Sequence, residues 1–240
     1  MTEVAVVVGV SASEGLGAAV ARRFAAEGMH AVVAGRRLER LQEVAEEITA
    51  AGGAATPCVA DATDADALTE LVTRAAGLGA IKSVVFNVGN NQPIAFDDLD
   101  AEQFESFLRV CTVAGFLTAK AALPELERNG GSLLFTGASA SLRGRPGFGH
   151  FSAAKGALRN LAQAIARDYG PRGVHVGHVV VDGVIDGERV RTAFSGYIDS
   201  LGEDGSLQPD AIAEAFWFLH CQPRNAWTFE LDVRPFKENW

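Results

Sequence analysis

Two stretches near the amino terminus put small residues and positive charge where chemistry would need them. The run Gly9-Val10-Ser11-Ala12-Ser13-Glu14-Gly15-Leu16-Gly17 separates a short apolar stretch, Val4–Val8, from an amphipathic one. Small residues at such a turn let backbone N–H groups approach a pyrophosphate, and the positive end of the following helix favours its charge. The pattern predicts a dinucleotide seat formed by Gly9, Gly15, Leu16 and Gly17. Ser11 and Ser13 either donate to phosphate or bond the turn itself. A tight glycine turn that only packs the helix close to the sheet is the alternative. After the second apolar run, the acid that would take a ribose 2′-hydroxyl is replaced by Gly35-Arg36-Arg37. Arginine there suits a 2′-phosphate through a charge-assisted fork, so NADP is expected over NAD, with NAD still open. A solvated charge pair at a helix start is the alternative, and nearby Glu14 opposes phosphate.

The other chemistry-bearing types are sparse. Cys58, Cys111 and Cys221 are odd in number and lack CxxC spacing, which reads as reduced thiols of a cytoplasmic protein. His175 and His178 fall within one apolar run without an acid at metal-ligand spacing and read as structural, so no metal is expected.

The elements that must position these residues alternate. Apolar runs at Val4–Gly9, Ala31–Gly35, Ala55–Ala60, Ser83–Val88, Ser132–Gly137, Val174–Val181 and Thr228–Val233 predict seven strands, continuous enough to be buried on both faces. Between them Gly15–Glu27, Arg37–Ala51, Ala65–Ala76, Ala101–Arg128, Phe151–Tyr169 and Pro209–His220 read as helices, the third capped by Asp64. Strict alternation implies an α/β fold with a doubly wound parallel sheet and right-handed crossovers. No linker or repeat divides residues 1–240, so a single domain is expected.

Composition excludes other classes. The chain has 240 residues, 48% of them hydrophobic, and a net charge of −9. That is too apolar for disorder and too acidic for a nucleic-acid partner. No uninterrupted apolar run reaches the ~18–20 residues of a membrane span, and Met1-Thr2-Glu3 leads straight into a strand without a signal peptide. The partner expected is a small-molecule substrate.

Together these motifs resemble the short-chain dehydrogenase/reductase family over nearly the whole chain. Asp61-Ala62 resembles its adenine-contacting Asp, and Phe86-Asn87-Val88-Gly89 its Asn-Asn-Ala-Gly turn. Arg143-Gly144-Arg145-Pro146-Gly147 leads to Phe151-Ser152-Ala153-Ala154-Lys155, in the place of the Tyr-x-x-x-Lys motif. Asp182-Gly183-Val184-Ile185 resembles the Pro-Gly turn whose following backbone holds the nicotinamide carboxamide. The resemblance implies a Rossmann-like sheet of order 3-2-1-4-5-6-7, NAD(P)(H), and hydride transfer involving an alcohol, carbonyl or activated double bond. It also implies a homodimer or homotetramer.

The departures are informative. The loop Gly-x5-Gly-x-Gly is two residues longer than the family's usual one and is similar to that of the enoyl-reductase-like branch. Phe151 stands at the Tyr position and Ala138 at the Ser position, with Ser139 adjacent and Ser141 close. Cys111 best matches the Asn position; only Lys155 is kept. Residues four apart share a helix face, so Phe151 and Lys155 point together, but phenylalanine has no proton to give. The divergent branch's Tyr position is Phe148. Three substitutes are open: Ser139, the lid residue Tyr197, and His150. His150 would point about 100° from Phe151, which favours a surface or capping histidine. Tyr169, at a helix end, is the other tyrosine. Cys111 reads as a small buried hydrophobe more readily than as a nucleophile. From Gly187 to Leu207 the pattern breaks into a partly helical lid in which Phe194 and Tyr197, with Phe148, suggest an apolar pocket. These readings give an NADP(H)-dependent oxidoreductase with a non-standard catalytic set or, alternatively, a dinucleotide-binding relative that has lost catalysis and acts as a sensor or assembly partner.

Overall fold

The computed structural model describes residues 1–89, 91–194 and 196–238. Asn239 and Trp240, which the single-domain reading includes, lie outside the described residues, as does Ser195 of the lid. Seven strands form one parallel sheet in the order β3-β2-β1-β4-β5-β6-β7, as expected. They are β1 Glu3–Val8, β2 His30–Gly35, β3 Ala54–Val59, β4 Ala80–Phe86, β5 Gly131–Thr136, β6 Val174–Val181 and β7 Glu230–Val233. The helices are α1 Leu16–Ala26, α2 Leu38–Ala50, α3 Ala65–Leu78, α4 Ala101–Leu108, α5 Ala114–Asn129, α6 Gly149–Tyr169, α7 Glu188–Ala193, α8 Tyr197–Leu201 and α9 Pro209–His220.

Alternate residues of each strand feed two cores. Val4, Val6 and Val8 face one side, packing with Leu68 and Leu71 of α3, Ala122 and Leu126 of α5 and Leu158 of α6. Ala5 and Val7 face the other, with Phe24 of α1, Leu41 and Val44 of α2 and Phe216 of α9. Burial on both faces is why these strands read as unbroken apolar runs. Asp64 caps α3 as predicted, its carboxylate accepting from Asp66 N and Ala67 N at 2.9 and 3.2 Å.

Most element ends lie within one or two residues of the sequence reading, and three differences bear on the site or the core. β4 starts three residues early and ends at Phe86; Asn87 N still donates to Val8 O at 2.8 Å while its side chain turns to the site. β7 starts at Glu230: Thr228 N instead donates to the side chain of Gln222 at 2.7 Å. The long helix expected at 101–128 is broken by a π turn at Arg109–Val113, where Cys111 is buried and the Thr112 hydroxyl donates to Ala154 O at 2.8 Å. By length and composition, Ala101–Asn129 is long and apolar enough to cross a membrane. The sequence reading, which counted only uninterrupted runs, did not register it. Here Ala114, Ala122 and Leu126 from this stretch lie in the core under the sheet.

β1 pairs with β2 on one side and β4 on the other. The crossovers leaving β1 and β4 run to opposite faces, and a crevice opens between their carboxyl ends. Ligands of doubly wound sheets bind at that point.

Candidate active site

The floor of the crevice is a chain of hydrogen bonds across three strand ends. Asn87 Nδ2 donates to Gly9 O at 3.1 Å, and Thr136 Oγ1 donates to Asn87 Oδ1 at 2.9 Å. Lys155 Nζ then donates to Thr136 O at 2.8 Å. Gly9 has φ +104°, and a Cβ there would stand 2.7 Å from the Asn87 carbonyl carbon. A Cβ on Gly17 would stand 2.7 Å from Gly9 O and 3.0 Å from Asn87 Nδ2. The glycines thus let the loop lie directly on Asn87, with the first turn of α1 above it. Such a cradle of backbone N–H groups beside a helix start fits a dinucleotide pyrophosphate.

Around this cradle the sequence-selected residues divide. Gly15 N donates to Ala12 O at 3.0 Å and closes the turn. Leu16 and Gly17 are buried in the first turn of α1. Ser11 is exposed. The Ser13 hydroxyl, considered a phosphate donor, is turned to α2. It donates to the Glu47 carboxylate at 2.6 and 2.7 Å, while Arg22 Nη1 reaches Ser13 O at 3.0 Å. A hydroxyl has one proton, and here the carboxylate holds it.

Arg36 and Arg37 are exposed at the end of β2 and form no ion pair among the described residues. Asp61 accepts from Thr63 N and Thr63 Oγ1, both at 2.8 Å. These bonds, with Arg36 and Arg109 adding their charge, hold its carboxyl below the usual range. Ala62 beside it is buried.

The opposite wall is apolar. Phe107, Cys111, Phe151 and Ala154 form a small cluster, with Ile94, Leu108, Val110, Ala138 and Ala140 packed against it. Lys155 is 4% exposed. Its Nζ lies 5.8 Å from the Phe151 ring centroid, and a Cβ on Gly89 would come within 3.4 Å of it. Burial lowers the amine's pKa, partly offset by the Cys111 thiol. Val88 and Gly89 continue the backbone past Asn87 over this amine.

Other candidate proton donors are less well placed. Ser139 opens a 3₁₀ turn half-buried, and its hydroxyl makes no hydrogen bond among the described residues. Ser141 Oγ is engaged by Ala138 N at 3.1 Å. His150 is neither on the surface nor a cap: it is wholly buried, its ring 4.1 Å from that of Phe107. Its Nε2 donates to Gln92 O at 3.1 Å, in the segment between β4 and α4. Tyr197 is exposed, edge-on to Phe194 at 6.4 Å.

The turn Asp182-Gly183-Val184-Ile185 follows β6, and several ion pairs around it and the lid carried no sequence motif. Asp182, buried, takes both carboxylate bonds from Arg143 Nη2 at 2.9 and 3.0 Å. Gly183 packs on Pro235, and Ile185 bridges to Leu207. Buried His178 Nδ1 donates to Glu230, which also receives a fork from Arg159 at 2.6 and 2.8 Å. In the lid segment, Asp186 holds Arg191 at 2.6 and 2.7 Å, and Arg189 donates to Asn91 O. Arg40 of α2 reaches Glu188 of α7 at 2.9 Å. Among the described residues no group of His, Cys, Asp and Glu could hold a metal ion.

Comparison with known proteins agrees with this architecture. Residues 3–196 match the family described as short chain dehydrogenase. The uncharacterized oxidoreductase YuxG of Bacillus subtilis is 30% identical over 207 residues; these are 84% of this chain, which spans only 30% of that relative's length. 2,5-Dichloro-2,5-cyclohexadiene-1,4-diol dehydrogenase LinX of Sphingobium indicum is 33% identical over 174 residues, covering 72% of this chain and 70% of LinX. Among solved structures, the alcohol dehydrogenase of the archaeon Thermococcus sibiricus complexed with 5-hydroxy-NADP superposes with a TM-score of 0.86. It is 27% identical, with 100% of this chain and 99% of that one covered. The chain belongs to the short-chain dehydrogenase/reductase family of NAD(P)-using oxidoreductases.

Proposed function

We propose that the chain binds NADP(H) across the β1–β4 crevice and exchanges hydride with a small apolar carbonyl, alcohol or enone compound. The observation that carries this reading is Lys155, an amine buried in an apolar wall and hydrogen-bonded to the network that starts at Gly9. The Thermococcus sibiricus alcohol dehydrogenase complexed with an NADP derivative supports the cofactor, and LinX a cyclic alcohol as one substrate type.

In this reading the nicotinamide, when bound, supplies or takes the hydride. The backbone N–H groups of Ser11, Ser13, Leu16 and Gly17 bind the pyrophosphate, and Gly9 and Gly15, whose own N–H groups close the turn, let it approach. Arg36 and Arg37 bind the 2′-phosphate, and Asp61 with Ala62 meets the adenine. Asn87, Val88 and Gly89 line the nicotinamide side, Gly183 and Ile185 hold the carboxamide, and Lys155 holds the ribose hydroxyls. The segment 187–207 closes over the substrate as a lid. Phe151 takes the family's tyrosine position, Ser139 adjoins that of the serine and Cys111 takes that of the asparagine. A positioned acid is worth ~10²–10⁴ in rate, so carbonyl reduction here is slow, and an activated double bond is the better matched substrate. Exposed Val113 and Phe116 on the α4–α5 side and Phe218 and Phe236 near the tail suit assembly into a homodimer or homotetramer.

A second reading, a nucleotide-binding protein without turnover, is favoured by Phe151 together with the turning of His150 away to Gln92. Nucleotide fluorescence titration followed by a screen of ketones, enones and alcohols separates the two. NADPH should bind more tightly than NADH, and Phe151→Tyr should raise ketone turnover by ~10²-fold or more. Tight NADPH binding without turnover in either protein leaves the second reading standing; binding of neither nucleotide overturns both.

A further inference from the structure

Arg36, Arg37 and Arg40 crowd the start of α2, where the helix dipole already favours an anion. Arg37 is the N-cap and Arg40, three residues on, shares its helix face. Arg40 alone of the three forms ion pairs among the described residues. Its Nη1 lies 3.3 Å from Glu43, one turn along, and its Nη2 lies 2.9 Å from Glu188, at the start of α7. That second contact joins residues 148 positions apart. Gly187, just before Glu188, lies against the glycine loop: a Cβ there would stand 3.2 Å from Glu14 O. The Arg40–Glu188 pair therefore connects the end of β2 to the lid across the side of the glycine cradle. Both side chains are partly exposed, at 35% and 41%, so the bond is weak enough to exchange.

We propose that Arg40 is a specificity residue with two partners: Glu188 while the 2′-phosphate position is empty, and that phosphate when NADP(H) is bound. This rests on the reading that the cofactor's 2′-phosphate lies at the end of β2. A dianionic phosphate offers the planar guanidinium a stronger forked contact than one exposed carboxylate. On exchange Glu188 is released and the start of α7 loses its tie to α2. NADP(H) thereby loosens the lid at the adenosine end, whereas NAD(H), which has only a hydroxyl there, leaves the tie intact. Cofactor choice and lid mobility become one equilibrium.

The test combines affinities with a lid readout. Kd values for NADPH and NADH are measured by nucleotide fluorescence in the wild type, Arg40→Ala, Glu188→Gln and the double variant. Trypsin cleavage after Arg189 and Arg191 is followed with and without each nucleotide. Arg40→Ala should weaken NADPH about tenfold and leave NADH unchanged. Glu188→Gln should tighten NADPH about threefold, a gain that disappears in the double variant. Cleavage in the wild type should be faster with NADPH than with NADH, and fast without nucleotide in Glu188→Gln. Equal shifts for both nucleotides in Arg40→Ala, or an unchanged NADPH affinity in Glu188→Gln, would overturn the exchange while leaving the cofactor reading intact. Failure of the wild type to bind either nucleotide would remove the cofactor reading itself, and the exchange with it.

Discussion

On the glycine-loop side of the crevice, Gly9, Asn87 and Thr136 form a continuous hydrogen-bonded floor in which each polar group has a protein partner. On the α6 side, Lys155 stands among Phe151, Cys111 and Ala154, with Thr136 O as its hydrogen-bond acceptor. The first wall is prearranged and holds a shape. The second sets a titratable amine in an apolar environment, where its charge is costly and sensitive to whatever enters the site. The comparison locates binding in backbone geometry and reactivity in a few side chains. The two should fail independently.

The largest effect should come from breaking the floor. In Gly17→Val the branched side chain meets Gly9 O and the Asn87 amide, neither of which can retreat. Nucleotide affinity should fall at least about a hundredfold with a lowered Tm, both measurable on the purified variant. Unchanged affinity would mean that the cradle is not where the pyrophosphate sits.

A smaller effect tests the second wall through acid. Burial holds His178 and His220 near pKa 4, against about 6.5 when unfolded. The unfolded chain therefore binds more protons between those values, and stability falls as the pH drops from about 6.5 toward 4. Each histidine contributes up to about 3 kcal/mol of this loss. His178 packs against Gly137, just beyond the carbonyl that holds Lys155, so the α6 wall should loosen first. Urea melts at pH 7, 6 and 5 check the total, and His178→Asn should flatten the dependence. Equal stability at pH 7 and 5 would contradict the histidines' buried neutral state.

The smallest effect sharpens the boundary of the first wall. Because Glu47 already holds the Ser13 hydroxyl, Ser13→Ala should change NADPH affinity by less than about twofold. A tenfold loss would show that the hydroxyl swings back to phosphate.

Much of this was legible in sequence because local and tertiary demands agree there. Strands buried on both faces had to be apolar throughout, and the loop from Gly9 to Gly17 had to be small. The π turn was not legible, since its residues have ordinary helical character and the extra residue is accommodated by a tertiary bond, Thr112 to Ala154. The Ser13–Glu47 bond was not legible because the partner is 34 residues away and reads as a solvated helix charge. His150 was misread because a helix-start histidine beside glycine gives no sign of the Phe107 ring that buries it. The Arg40–Glu188 pair joins the starts of two helices, and the Arg143–Asp182 pair two loops, that only the sheet brings together.

The π turn at Arg109–Val113 also sets the phase between two halves of one long rod. With one extra residue in that turn, α4 presents Phe107 to His150 of α6 while α5 keeps Ala114 and Ala122 in the core beneath the sheet. Deleting a single residue there would restore ordinary winding and rotate α4 about 100° relative to α5. Phe107 would leave His150, and the cluster that surrounds Lys155 would lose one of its sides. The turn thus acts as a register pin, letting one continuous segment serve the core at one end and the site at the other.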